Sequence, residues 1–525
     1  MAQIELDRPG VTQDERIRPY AYYALTVLTL SSILNFADRQ ILSILAQSVK
    51  ADLALTDAQL GFLLGTSFAV FYAVVGIAMG RIADAVSRTR LMGGGLALWS
   101  LMTALGGLVT NYAGLAATRI GVGVGESTAN PCSHSLLTQY FPARRRAAAL
   151  SVYLSGAFIG GATALLVGGY LVQHWGEVCR GAACGLAGWQ AALMLVGLPG
   201  LPLAVLVATL REPARPPRET PPLPRLLADE FGAAVPPFTF LTLFSLGGAR
   251  ALAANLALGA AIILAGWALV QLTRDLLQWT ALALGAYSIV TWGQVLKLRD
   301  RPLYKLTFGC PTFVLAMISG ALVACVIGAT QAWAAPFAMR ELGMSPGSTG
   351  LWMGLTSAVG AAIAVVAGGW LTDQWKRRDV RAPIWMGLLA LLASAPPMAL
   401  MLTASGPATY LAAYLAFCLA GSCWSGAFAA LVQDLVLPRM RGAAASAFAL
   451  VSVVVASGGG PYWAGKVSTL TGSLAAGIVS VQALTPIAVV VLLLAARRLK
   501  RESESTRRQR ADAAGERHQP GFAAA

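Results

Sequence analysis

The sequence predicts an all-α polytopic membrane protein: two six-helix halves with two extra central helices, about fourteen spans in all. Three observations carry that expectation. Of 525 residues, 56% are hydrophobic and only 12% charged, and mean hydropathy is +0.64; a soluble chain carries about 25% charged residues. Apolar runs of about 20 residues recur from end to end, each long enough to cross a bilayer as a helix. The third observation is a repeat. The phrase Gly80-Arg-Ile-Ala-Asp84-Ala-Val-Ser-Arg88 returns 289 positions later as Gly369-Trp-Leu-Thr-Asp373-Gln-Trp-Lys-Arg377. A fixed offset of this kind marks duplicated halves, a construction typical of membrane carriers.

The elements follow in order. Residues 1–18 form a polar tail, and residues 19–211 hold the first bundle, with spans at 20–46, 59–80, 91–110, 113–140, 147–171 and 189–210. Residues 212–301 hold a proline- and arginine-rich linker, which reads as stiff, and the two extra spans, 251–272 and 276–297. The apolar piece 234–250 is short and interrupted by Pro236, Pro237, Gly247 and Gly248, so it reads as interfacial or re-entrant. Residues 302–496 hold the second bundle, with spans at 305–330, 348–371, 383–403, 408–435, 443–463 and 475–496. Residues 497–525 read as a solvated, disordered basic tail.

Most of the 39 Lys and Arg fall on one side of this arrangement, together with both ends of the chain. The positive-inside rule makes that side cytoplasmic; the expected location is the plasma (inner) membrane. The same rule, with attraction to anionic headgroups, explains a net charge of +15 without any nucleic acid. No cleavable signal peptide is evident. Most cysteines lie inside spans and behave as small apolar residues. Cys179 and Cys184 share a loop on the opposite side, where a disulfide and two free thiols are equally good readings.

Both copies of the repeated phrase sit in short basic loops between the second and third spans of their half. An aspartate there can pair with basic residues or cap the next helix, holding the two bundles together on that side. Gly80, Asp84 and Arg88, with Gly369, Asp373 and Arg377, therefore read as a conformational latch. Ordinary loop charge would explain the arginines but not the matched aspartates. The phrase resembles the signature of the major facilitator superfamily, departing from it at Ser87 and Lys376, where the family has glycine. That resemblance implies two six-helix bundles around a central cavity, working by alternating access.

Asp38 and Arg39 lie within the first span, and Arg119 and Glu126 within the fourth. Each costs about 2.5–3.5 kcal/mol at mid-membrane, roughly 10 kcal/mol for four, unless paired or wetted. Arg119, Glu126 and Asn130 share a helix face, and His134 follows one turn on. The cluster is either a buried structural ion-pair group or a coupling site, with Glu126 as proton carrier and Asp38 its rival. Together with the stretch that follows, the Asn-Phe-Ala-Asp38-Arg39 and Gly-Val-Gly-Glu126 sequences resemble the spinster-like branch of the superfamily. By that resemblance the four charges bind substrate and couple its movement to protons, and the substrates are lysolipids and other amphipaths. Anion:cation symporters for sugar acids carry a similar pattern.

Gln331 and Trp333, low in the seventh span, are further cavity candidates; His134 is either a hydrogen-bonded filler or a contact. The glycines at 121, 123 and 125 lie in an apolar helix and lack the strand of a dinucleotide fingerprint. No metal-ligand spacing, nucleophile elbow or phosphate loop appears, so neither an enzyme, a metal nor a cofactor is expected. The expected partners are a small-molecule or lipid substrate, protons and membrane lipids, with the chain a monomer. The leading expectation is a proton-coupled secondary transporter of an amphipathic or anionic organic solute. Its rivals are a symporter for carboxylates, and a non-transporting receptor or scaffold on the same fold.

Overall fold

The computed structural model describes residues 19–179, 185–213 and 222–516. Apolar composition makes the helices, and local chemistry sets their ends. The first half is built of α1 (Pro19–Asp52), α2 (Asp57–Ala85), α3 (Arg88–Gly106), α4 (Tyr112–Glu126), α5 (Ala129–Tyr140), α6 (Ala143–Val178) and α7 (Gly188–Ala208). A linker helix α8 (Leu223–Phe231) leads into a hairpin of α9 (Phe238–Thr273) and α10 (Leu276–Arg299). After a short α11 (Arg301–Leu306), the second half comprises α12 (Pro311–Glu341), α13 (Pro346–Lys376), α14 (Ala382–Leu402), α15 (Pro407–Asp434), α16 (Pro438–Thr471) and α17 (Leu474–Leu499). A last helix, α18 (Glu504–Ala513), follows.

Among the described residues, twelve helices are long and apolar enough to cross a membrane. Glycine-rich α3 and the charge-bearing α4–α5 pair fall outside that group, yet they pack within the first bundle and bring the segments to about fourteen. Side-chain caps start many of them. Thr56 and Gln59 form a reciprocal capping box at α2, Ser87 caps α3, Asn111 caps α4 and Ser345 caps α13. Prolines occupy the first turn of α12, α13 and α15, where a missing N–H costs nothing.

The halves meet along two seams, α6 against α13 and α2 against α16. Both are closed at the end remote from the chain termini, called the far end below; the end carrying Pro19 and Glu516 is the near end. At the first seam, a Cβ on Gly350 would lie 2.1 Å from the Leu165 carbonyl oxygen. At the second, a Cβ on Gly65 would lie 1.8 Å from the Ser457 carbonyl oxygen. Backbone touches backbone there because no side chain intervenes. Each helix of this second seam carries a π-helical turn at that level, Phe62–Thr66 and Val453–Ser457.

Three expectations need correction or refinement. The basic tail is ordered through Glu516: α18 docks beside α11, with Glu502 buried and bonded to Thr312 and Arg510, because its acidic residues find partners there. The linker is helical from Leu223, since Leu226 and Phe231 give it an apolar face that packs on Ala78, Met79 and Ile82 of α2. The piece 234–250 is helical from Phe238 and set off from the rest of α9 by a kink at Gly248 (φ 66°). The N-terminal tail and Cys184 lie outside the described residues, so the pairing of Cys179 with Cys184 does too.

Candidate functional site

Four ionisable side chains from α1 and α4 meet in the core of the first half as two ion pairs. Arg119 donates through Nη1 to Asp38 Oδ1 at 2.9 Å, and both residues are almost fully buried. The second oxygen of Asp38 accepts from the Thr103 hydroxyl of α3. Arg39 donates through Nε to Glu126 Oε2 at 2.7 Å. Here burial is unequal: Glu126 is fully buried, while the Arg39 side chain keeps 24% of its surface. Adjacent positions on α1 point to different sides, which is why neighbouring Asp38 and Arg39 take different partners. The fixed rise of α4 sets Arg119 and Glu126 two turns apart on one face, opposite them.

Aromatic rings surround the half-buried Arg39 cation. The Arg39 guanidinium lies 4.6 Å from the Tyr72 ring centroid, 4.8 Å from Phe68 and 5.3 Å from Phe36. Phe68 and Tyr72, one turn apart on α2, stack on each other at 5.4 Å. Tyr72 accepts from the Asn130 amide at 3.1 Å, and Tyr153 of α6 donates to the Asn130 carbonyl oxygen at 3.3 Å. His134 is exposed and meets the Tyr153 ring edge-on at 5.6 Å. Glu126 Oε1, Arg119 Nε and Asn35 Nδ2 are among the buried polar atoms of these two spans that have no protein partner. Buried polar atoms of this kind are ordinarily satisfied by water or ligand. The arrangement offers a cation held over π-faces, a carboxylate with one free oxygen, and hydrogen-bonding groups on one side.

The second half contributes little to this centre. Gln331 is half-buried beside Cys418. Trp333 is fully buried, and its indole N–H is spent on the Pro461 carbonyl at 2.9 Å. The expected cavity position for Trp333 is thus corrected to the packing between α12 and α16, because the large apolar ring fills that interface.

Far from this centre, the ends of the halves differ. At the far end, Asp57 accepts from Lys50 of its own half, from Arg340 of α12 at 2.7 Å and from Ser468 of α16 at 2.6 Å. Nearby, the Ala58 amide donates to Thr469 at 3.0 Å. Asp57 therefore ties the halves together at the closed end. At the near end, Arg88 of the repeated phrase is bonded within its own half. Arg88 is buried and held by Glu212 at 2.7 Å, Ser135 at 2.7 Å and Gln139 at 2.8 Å, all in the first half. Asp84, Asp373 and Arg377 are exposed. A Cβ on Gly80 or Gly369 would meet nothing within 4 Å. The bonds of Arg88 thus hold the first half together, and a latch between the halves stays a proposal.

Sequence reasoning singled out the four charges but missed Thr103, Phe68, Tyr72, Tyr153, Asp57 and Arg340. The one-turn spacing of Phe68 and Tyr72 was a signal, though aromatic pairs in apolar helices are usually packing. Asp57 sits in a capping box, which hides a tie between halves behind an ordinary helix start.

Comparison with known proteins sets the chain among carriers. The profile of the Major Facilitator Superfamily matches residues 28–461. An MFS-type efflux pump of Mycolicibacterium smegmatis is 27% identical, over 87% of this chain and 86% of its own. A probable L-galactonate transporter of Escherichia coli is 26% identical over 39% of this chain and 42% of its own. Among solved structures, a bacterial homolog of the human lysosomal transporter Spinster, inward-facing and unoccupied, superposes with a TM-score of 0.68 at 23% identity. The match covers 93% of this chain and 99% of that one, and it shows a shared fold.

Proposed function

Because the chain belongs to the Major Facilitator Superfamily and is a membrane transporter of small molecules, we propose that it moves an anionic or amphipathic organic solute, lysolipid-like in character, by proton-coupled alternating access. The observation that carries this reading is the unequal burial of the Arg39–Glu126 pair. A guanidinium that keeps solvent contact and sits on aromatic faces suits a ligand with an anionic head and an apolar body. Such a head competes with Glu126 for Arg39. Protonation of Glu126 would release the cation to the solute, and departure of the solute would restore the pair. The sequence of events needs only Glu126, Arg39 and the incoming anion. Asp38 and Arg119, closed on each other by Thr103, act as the fixed counterpart.

A second reading is a symporter of sugar acids or other carboxylates. Asn130, His134 and Tyr153 support it, since they give hydroxyl-rich solutes hydrogen-bonding partners beside Arg39. Similarity to a probable L-galactonate transporter points the same way. The latch role of the repeated phrase, the monomeric state and cytoplasmic termini belong to the same proposal.

Purified protein in proteoliposomes under an imposed pH gradient separates the readings, with lysolipids and sugar acids offered in parallel. Accumulation of one class that collapses with the gradient supports proton coupling and identifies the solute. Movement indifferent to both the gradient and Glu126→Gln overturns coupling through that residue. Binding without movement favours a receptor on the same fold.

A further inference from the structure

The α9–α10 hairpin lies outside the two six-helix halves, and its contacts give it a task. It is a rigid unit. Asn255 of α9 donates to Thr291 at 3.0 Å and Gln294 at 2.8 Å of α10, and accepts from Tyr287 at 2.6 Å. Interhelical bonds of this kind hold membrane helices together where the hydrophobic effect cannot.

Its second helix covers the seam between α2 and α16. Leu282, Ile289 and Trp292 pack on Ala73 of α2 and on Leu450 and Val454 of α16. Gly285 lets α10 approach Val70 and Val454 together. One side chain bonds both halves. Gln278 is buried and donates to the Gly458 carbonyl of α16 at 2.9 Å; the Thr66 hydroxyl of α2 lies 2.7 Å from its amide oxygen and 2.5 Å from the same Gly458 carbonyl, so Gln278 completes a direct contact between the halves. Thr66 ends one π-helical turn and Gly458 follows the other, irregularities that recur at functional places in helices.

The ends of α10 are fixed as well. At its far end Asp275 accepts from Tyr462 and from Lys466 of α16, each at 2.7 Å. At its near end Asp300 accepts from Arg439 of the second half at 3.0 Å. The other tie runs to the first half, where Glu230 of α8 pairs with Arg81 of α2 at 3.0 Å and lies 3.8 Å from Arg299.

We propose that the hairpin is a strap across the α2–α16 seam, holding the far end closed through the Gln278 bridge between Thr66 and Gly458. The far end can open only by parting α2 from α16. That separation breaks the bridge and strips Leu282 and Gly285 from one of their two neighbours. The strap therefore stabilises the far-closed state and slows return to the far-open one. It rests on alternating access alone and not on any solute.

Nitroxide labels at Leu108→Cys and Leu470→Cys, both exposed and at the far ends of opposite halves, read the opening directly in reconstituted full-length protein without substrate. Gln278→Leu should raise the far-open to far-closed ratio roughly two- to tenfold, the range expected for a lost hydrogen-bond bridge. Asp275→Asn, at a half-exposed position, should shift the ratio the same way without burying a new group. Distance distributions unchanged in both variants overturn the proposal. Each readout is independent of the substrate screen, so failure of one leaves the other intact.

Discussion

Glu126 gives one carboxylate oxygen to Arg39 at 2.7 Å and leaves the other buried with no protein partner. An ion pair half-finished on its buried side is poised to take a proton or a water. Glu126→Gln should therefore abolish gradient-driven accumulation while sparing solute exchange at equal pH. The loss should be at least about tenfold, or about 1.4 kcal/mol of driving interaction. Parallel counterflow and gradient-driven assays check the split. Equal losses in both would make Glu126 a binding residue only.

The neighbouring pair behaves differently because both partners are buried. Arg119→Leu strands the Asp38 carboxylate and should destabilise the protein by about 3–5 kcal/mol. Replacing both, Asp38→Asn with Arg119→Leu, should recover part of that loss. Thermal unfolding of the four proteins in detergent forms a complete double-mutant cycle. A coupling energy near zero would mean that the pair is not what holds α1 to α4.

Asp57 ties two halves whose sequences give no hint of contact there. Asp57→Ala removes acceptors for Lys50, Arg340 and Ser468 at once and should loosen the far end. Amide exchange in residues 464–471 should quicken by roughly tenfold for each 1.4 kcal/mol lost. Peptides of α8 serve as the reference, since they lie at the other end of the molecule. Exchange that stays at the parent rate would deny Asp57 a gating part.

Asp300 answers to pH outside the spans. Burial alone would raise its carboxyl, but hydrogen bonds from Arg439 and the Leu303 amide outweigh that and hold it below the ordinary range. Its contribution is thus complete above the unfolded value of about 3.9, and it fades as pH falls through the lower folded one. Limited proteolysis around residues 300–306 should be constant from neutral pH down to about 5. Cleavage should rise only in stronger acid, and Asp300→Asn should remove that rise.

Apolar runs and a duplicated phrase were enough to read the two halves and the hairpin, because spanning a bilayer leaves a helix few alternatives. The four core charges were legible for the same reason: a charge at membrane depth costs too much to be incidental. Contacts between distant parts were not. Asp57 and Arg340 stand 283 positions apart, and each reads alone as an ordinary loop charge. Phe68 and Tyr72 are hidden by the apolar helix that carries them. The dock of α8 is a nine-residue helix after a run of prolines, too short for its apolar face to stand out from sequence.

The glycine contacts at Gly65 and Gly350 set the grain of the motion. Where one main chain rests on another, no rotamer can change to take up a partial gap. A methyl group at either place is a wedge thicker than the space available. The closed seam therefore either fits or fails as a whole, and the protein should switch between a few discrete shapes rather than widen by degrees. Single-molecule traces of the far end should show steps, and Gly350→Ala should remove one of the levels rather than blur them all.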